Sequence, residues 1–401
     1  MKNYYVMSNG RVCRNANTLW IETAAGEKKP IPVEDVESLY LYGEVDINTK
    51  LLNFLSQKRI PLHVFNYYGF YAGSYYPRDY LHSGFLLVNQ VAHYQDTARR
   101  LILAQELVRG AGHSLRRNVA YYARRRSTND DDARDPQGEI VPGAPKDPDM
   151  AGIAEAAVDA WADVAPSASS DEPETEATAW DDGVGPWEHG VEFNTAEPPT
   201  LIDLHATLVS LGALVDSQST VDSVRGIEGK MRERYYRAWP NILTRDWAFQ
   251  RRVRRPPDNE INALISFGNS ILYTACLSEI YRTQLTPTIS YLHEPGARRF
   301  SLALDVSEIF KPLIVDRAIF RMVNTGQLES KHFDKALGGC YLTDAGKKLF
   351  VTGLEERLNT TIRHRRLGRH VTYRHLIRLE CYKLIRHITG VEPYVAFRAW
   401  W

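Results

Sequence analysis

The sequence is poor in cysteine. Cys13, Cys276, Cys340 and Cys381 are its four, scattered with no CxxC pair, which disfavours a zinc site and a disulfide scaffold and fits reduced thiols. It has no run of about 18 residues free of polar interruption. The most apolar stretch, near 260–282, carries Asn262, Ser266, Asn269, Ser270 and Glu279, so no membrane span is expected. The opening residues, MKNYYVMSNG, hold no apolar signal segment, and a cytoplasmic location is the expectation. There is no GxxxxGKS loop, GxSxG elbow or HExxH helix, so ATP hydrolysis is not expected.

Basic side chains are nearly missing from one stretch. Residues 128–200 hold 19 Asp/Glu and only Arg134 and Lys146, a net −17. The remaining 47 basic and 30 acidic side chains give +17, so the overall charge of +0 hides two opposite parts. The stretch has too little apolar content for its charge to fold by itself and reads as a disordered, solvent-facing insert. The basic body suits a polyanionic partner, against the plainer alternative of a generally soluble surface. A hydrophobic fraction of 44% over 401 residues supports cores for two domains.

The expected fold is α+β: an N-terminal β-rich domain over 1–84, then an all-α metal-binding domain over 85–127 and 201–401, with the acidic insert 128–200 inside it. The runs YYVMS, TLWIET, SLYLYG and PLHVFNYYG are β-branched or aromatic and are separated by turn signals at Asn9-Gly10, Asn15-Ala16-Asn17, Gly26 and Gly69. Asn48 to Lys58 reads as a helix with Leu51, Leu52 and Leu55 on one face. Tyr67 to Tyr76 reads as a hairpin; its tyrosines pack on a sheet or, less simply, stack on bases. Helical periodicity begins near 85, where Leu101, Ala104, Leu107 and Val108 recur at 3.6-residue spacing amid many arginines. It resumes at Leu201 and predicts helices near 219–240, 259–283, 301–323, 343–358 and 371–389.

Four side chains stand out. Glu228 interrupts the apolar stripe of Val221, Val224, Met231 and Tyr235, where a lone carboxylate is costly; the plain alternative is a stripe-edge Glu paired with an arginine. His293 lies in a turn beside Arg298 and Arg299, which could hold phosphate, or is simply a surface residue. Asp305 and Glu308 share a helix face at i, i+3 spacing, or merely answer the positive end of that helix. Ser301 is a candidate cap, and Pro312 kinks or ends the helix. Three carboxylates and one imidazole, brought together, make a hard-donor site for Mg2+ or Mn2+ and hence for phosphodiester chemistry. Arg363, Arg365, Arg366, Arg369, Arg374, Arg378, Lys383 and Arg386 form a plausible backbone-binding surface, or a solvated helix face.

Taken together, GIEGKMRERYY, PTISYLHEPGARRFSLALDVSEIFKPLIVDR, the stretch from Ile31 to Pro77 and the closing YVAFRAWW resemble the CRISPR-associated adaptation integrases, the Cas-one family, nearest in flavour to type I-B members. The resemblance covers nearly all of the chain except 128–200. It implies an N-terminal β-domain and a helical metal domain, with Glu228, His293 and Glu308 as metal ligands and Asp305 supporting them. Glu308 stands where some relatives have Asp. It implies Mg2+- or Mn2+-dependent cleavage and strand transfer on DNA by a homodimer that joins a Cas-two dimer in a heterohexamer. Competing readings are a branched-DNA repair nuclease using the same site and a noncatalytic nucleic-acid scaffold. Excision of 130–195 is expected to leave the fold intact, read as cooperative thermal unfolding by circular dichroism; loss of cooperative unfolding contradicts the reading of the insert.

Overall fold

A computed structural model describes residues 2–24, 26–77, 81, 83–127, 198–243, 247, 249–253, 256–296, 300–336 and 338–400. All but the last three residues of the expected acidic insert lie outside these. Pro199 and Thr200 already belong with the helical part: Pro199 accepts from Asn241 Nδ2 at 2.9 Å, and Thr200 caps the helix that follows. The described residues fall into two units, one within Met1–Tyr80 and the other from Leu81 onward.

The first unit is built from β1 (Lys2–Val6), β2 (Gly10–Asn15), β3 (Thr18–Thr23), β4 (Lys28–Pro32), β5 (Val36–Leu41), β6 (Val45–Asp46), α1 (Thr49–Lys58), β7 (Leu62–Phe65) and β8 (Tyr71–Tyr75). One sheet has the order β1-β5-β7-β8, parallel except for its last pair; the other has the order β4-β3-β2-β6. Their common core joins Val6, Val12, Leu19, Leu39, Leu41 and Leu62 to Leu51, Phe54 and Leu55 of α1. The four aromatic and β-branched runs supply β1, β3, β5 and β7. The sequence pattern misses β2, β4 and β6. β4 carries Pro30 and Pro32 and survives because it is a sheet edge, where a missing N–H costs no ladder bond.

The tyrosine tract does form a hairpin. Asn66 Oδ1 accepts from the N–H groups of Tyr68 and Phe70, and Gly69 takes φ 82°, a conformation glycine adopts without steric cost. Tyr75 donates to the Leu52 carbonyl and Tyr71 contacts Ser74, so packing accounts for these rings, while Tyr67 is exposed.

The second unit contains α2 (Gly84–Gln95), α3 (Thr97–Ser127), α4 (Leu201–Leu214), α5 (Val221–Arg237), α6 (Glu260–Tyr281), α7 (Ser301–Lys311), α8 (Arg317–Asn324), α9 (Asp344–Asn359) and α10 (Tyr373–Ile388). Two short hairpins, β9–β10 and β11–β12 (Phe333–Ala336 with Gly339–Leu342; Thr361–Arg363 with His370–Thr372), interrupt the helices. Side chains of Ser83, Thr200, Thr220, Asn259, Thr343 and Thr372 cap six of the helices by accepting a backbone N–H, each stabilising by about 1 kcal/mol. α6 is long and apolar enough to cross a bilayer by length and composition alone. Most of it is buried inside this unit, as a core helix is. Gly268 permits its close contact with the segment after α7: a Cβ there would lie 2.6 Å from Val315 Cγ1.

One local expectation is corrected. Ser301 does not cap α7. The N-cap position is Phe300, without a side-chain bond, and Ser301 Oγ instead donates to the Thr288 carbonyl at 2.8 Å. Pro312 does mark the end of α7, and the chain continues through a π-helical turn, Pro312–Asp316, into α8. The wider turn accommodates a proline that has no N–H to give.

Residues 391–400 have no regular structure and are held by side chains. The buried Glu380 carboxylate accepts from Tyr394 OH at 2.6 Å and from the Phe397 N–H at 2.9 Å, with Lys383 Nζ at 2.5 Å. Glu380→Ala leaves those donors unanswered and is expected to lower stability by about 2–4 kcal/mol in urea unfolding; an unchanged midpoint contradicts this anchoring.

Candidate active site

α5 carries Glu228 where the stripe predicts it. Val224, Met231 and Tyr235 are buried. Arg232, one turn on, answers the acid: its Nε lies 3.1 Å from Glu228 Oε1. The same guanidinium reaches across to α7, where Nη2 is 2.5 Å from Glu308 Oε2 and 3.1 Å from the Glu308 carbonyl. One arginine thus brings together two carboxylates that are 80 residues apart in the chain. Lys311, one turn after Glu308, takes its other oxygen. The arginine-paired glutamate that the plain alternative foresees is therefore present, but as part of a larger cluster.

His293 is set by Asp305. That carboxylate is fully buried. Its Oδ2 accepts from the N–H groups of Tyr291 and Leu292 at 2.6 and 3.0 Å; its Oδ1 accepts from the His293 N–H at 3.0 Å and from Nδ1 at 2.7 Å. With the imidazole donating through Nδ1, Nε2 remains as the lone-pair atom. Asp305 and Glu308 thus differ in role despite their shared spacing: one shapes the histidine loop, the other joins Glu228.

Side chains that the sequence did not single out hold the same loop. Gln90 brackets Thr286, accepting its N–H at 2.9 Å and donating to its carbonyl at 3.3 Å. Arg100 donates to the Tyr291 carbonyl at 3.0 Å and to Glu294 at 2.7 Å, and Tyr94 OH donates to Glu294 at 3.0 Å. Arg298 and Arg299 lie outside the described residues.

The charges interlock. Burial, then the Glu308 charge, raises the Glu228 carboxyl above its ordinary value. Burial would raise Glu308 as well, but Lys311, Arg232 and His293 overcome it and hold that carboxyl far below the usual range. Burial opposes protonation of His293, yet Asp305, Glu308 and Glu228 together raise it. All three side chains therefore lie within one another's fields. Asp316, in the π-turn, is a further buried carboxyl that no pattern flagged. Burial pushes it up to about 7, and its Oδ2 has no hydrogen-bond partner.

Two carboxylates and an imidazole backed by a third carboxylate form a donor set that a hard divalent cation accepts. Among the described residues no three such side chains already stand as a ligand cage. Arg232 and Lys311 balance the glutamates instead, and a cation would have to replace those contacts.

The basic C-terminal run is not one open face. Arg374 pairs with Glu355, Arg378 with buried Glu279, Lys383 with Glu380, and Arg366 and Arg386 with Glu392. Arg365 instead lies over the Trp400 ring, 5.4 Å from its centroid.

The family model "CRISPR associated protein Cas1" matches residues 4–141 and 195–356. A relative from Thermodesulfovibrio yellowstonii, named CRISPR-associated endonuclease Cas1 3, is 39% identical over all of both chains. Among solved structures, a Cas1 protein from Thermotoga maritima is 35% identical with TM-score 0.73, covering 99% of this chain and 100% of that one. A casposase bound to integration product shares the fold at 16% identity and TM-score 0.73, covering 99% of this chain and 93% of the other. A sheet-built first unit followed by a helical second unit is the architecture this chain shares with the solved Cas1 protein. The chain belongs to the Cas1 family.

The sign of the Asp316 effect is fixed. A carboxyl raised from its ordinary value near 3.8 to about 7 contributes stability that is full at acid pH and is lost as pH rises through about 7. Asp316→Asn is expected to flatten the fall of Tm between about pH 5 and pH 8; an unchanged Tm-versus-pH slope contradicts it.

Proposed function

We propose that this protein is a divalent-metal-dependent DNA endonuclease and integrase that inserts new spacers into a CRISPR array by strand transfer. The observation that carries the proposal is the gathering of Glu228 and Glu308 on one guanidinium, in the electrostatic field of a histidine already oriented by Asp305. Family membership and the name endonuclease borne by a full-length relative support the reaction class. Glu228, His293 and Glu308 would hold Mg2+ or Mn2+, which supplies Lewis-acid stabilisation of charge on the reacting phosphate. Asp305 fixes the histidine tautomer and keeps Nε2 available as a ligand. Gln90 and Arg100 hold the loop so that this orientation persists. Arg232 and Lys311, once replaced at the glutamates, remain as cations beside the phosphodiester. The reading places the protein in the cytoplasm, as a homodimer that joins a Cas-two dimer in a heterohexamer on DNA.

Glu228→Ala and His293→Ala, each purified and folded, are expected to lower integration of labelled donor DNA into a repeat-bearing plasmid by at least about 100-fold. Full activity in either variant refutes the assignment. Cleavage of branched DNA without any integration favours the repair-nuclease reading. Metal-independent binding with no cleavage favours a scaffold.

A further inference from the structure

Beyond its anchor at Glu380, the C-terminal tail does something the reaction does not require. Ala396 donates its N–H to Glu106 on α3 at 3.1 Å, and Ala399 accepts from His113 Nε2 on the same helix at 2.7 Å. Trp400 then meets the β11–β12 hairpin. It packs edge-on against His364, with centroids 5.7 Å apart, and under the Arg365 guanidinium. The tail therefore bridges the middle of α3 to a hairpin from the far end of the sequence.

Each part of this bridge is basic. α3 contributes Arg116 and Arg117, the tail Arg398 and the hairpin Arg365. Arg398 has one acidic neighbour, Glu106 at 3.6 Å, and is about half exposed. Among the described residues no acid forms an ion pair with Arg116, Arg117 or Arg365, whereas Arg366, Arg374, Arg378, Lys383 and Arg386 nearby are all paired. His113 senses the imbalance. Burial lowers it, and Arg116, Arg117 and Arg398 lower it further, although its bond to Ala399 pulls the other way. Four guanidinium groups with a single acid among them repel one another, which favours an anion that can neutralise several at once.

We propose that Arg116, Arg117, Arg398 and Arg365, joined through the tail and centred on Trp400, form one binding strip for the phosphate backbone of a nucleic acid. The strip shares no residue with the carboxylate cluster, and its one acid is Glu106, beside Arg398. Guanidinium groups match phosphate oxygens in pairs, and the indole beneath Arg365 fixes the orientation of that fork. The proposal rests on the DNA-dependent function above, and its test separates the two.

The experiment measures binding of the full chain to a fluorescent DNA duplex by anisotropy, from about 50 to about 300 mM salt. Removing three phosphate contacts in the triple variant Arg116→Ala/Arg117→Ala/Arg365→Ala should reduce the slope of log affinity against log salt by about 2–3 and weaken binding at least about tenfold at low salt. Trp400→Ala, which frees the Arg365 guanidinium, should weaken binding with a smaller change in slope. Neutralising Lys28, Lys29 and Lys331 instead should leave the slope unchanged. Thermal unfolding checks that each variant is folded. An unaltered slope and affinity in a folded triple variant overturns the strip while leaving the DNA-dependent function standing. Failure of the wild-type protein to bind the duplex overturns both.

Discussion

The candidate site of the second unit depends on how two glutamates are answered where water hardly reaches. Glu228 and Glu308 face one another from different helices, and each would be costly alone. Each is answered from its own helix, Arg232 one turn after Glu228 and Lys311 one turn after Glu308, and Arg232 then spans both acids. That shared guanidinium fixes the spacing of α5 and α7. It also divides the acids unequally: Glu308, with two cations, stays ionised, while Glu228 is raised by its neighbour's charge. In the proposed reading, a divalent cation would supply the same compensation in more concentrated form.

Asp305 solves a different problem. A turn carrying a largely buried histidine exposes backbone N–H groups that have no helix to satisfy them. One carboxylate takes three of them and the imidazole as well. The polar turn thereby becomes as well determined as a regular element, and Gln90 and Arg100 fasten it from α2 and α3. The histidine's orientation is thus a property of the packed unit and not of a free side chain.

Much of this was legible in the sequence, for reasons that can be stated. Aromatic and β-branched runs marked β1, β3, β5 and β7, and 3.6-residue periodicity placed α5, α6, α9 and α10 to within a few residues. Glu228 was visible because it broke an apolar stripe. The partners were not visible. Arg232 and Lys311 look like ordinary surface cations until the fold sets them against acids, and Asp316 reads as one more charge near a helix break. The partners of the basic run after Asn359 were hidden for the same reason: Glu279, Glu355, Glu380 and Glu392 pair with Arg378, Arg374, Lys383, Arg366 and Arg386 once the chain is folded. β2 and β4 were hidden because strand pairing, and not residue preference, makes them strands. The family was legible early; the geometry separates Asp305, which holds the histidine loop, from Glu308, which joins Glu228 through Arg232.

The most direct test of the central claim is pulsed electron paramagnetic resonance of Mn2+ added to the purified protein. The account predicts one bound ion whose echo carries nitrogen modulation from a single imidazole. That modulation should vanish in His293→Gln, and binding itself should weaken in Glu228→Gln and Glu308→Gln. Bound Mn2+ without a nitrogen neighbour, or binding indifferent to all three substitutions, would contradict it.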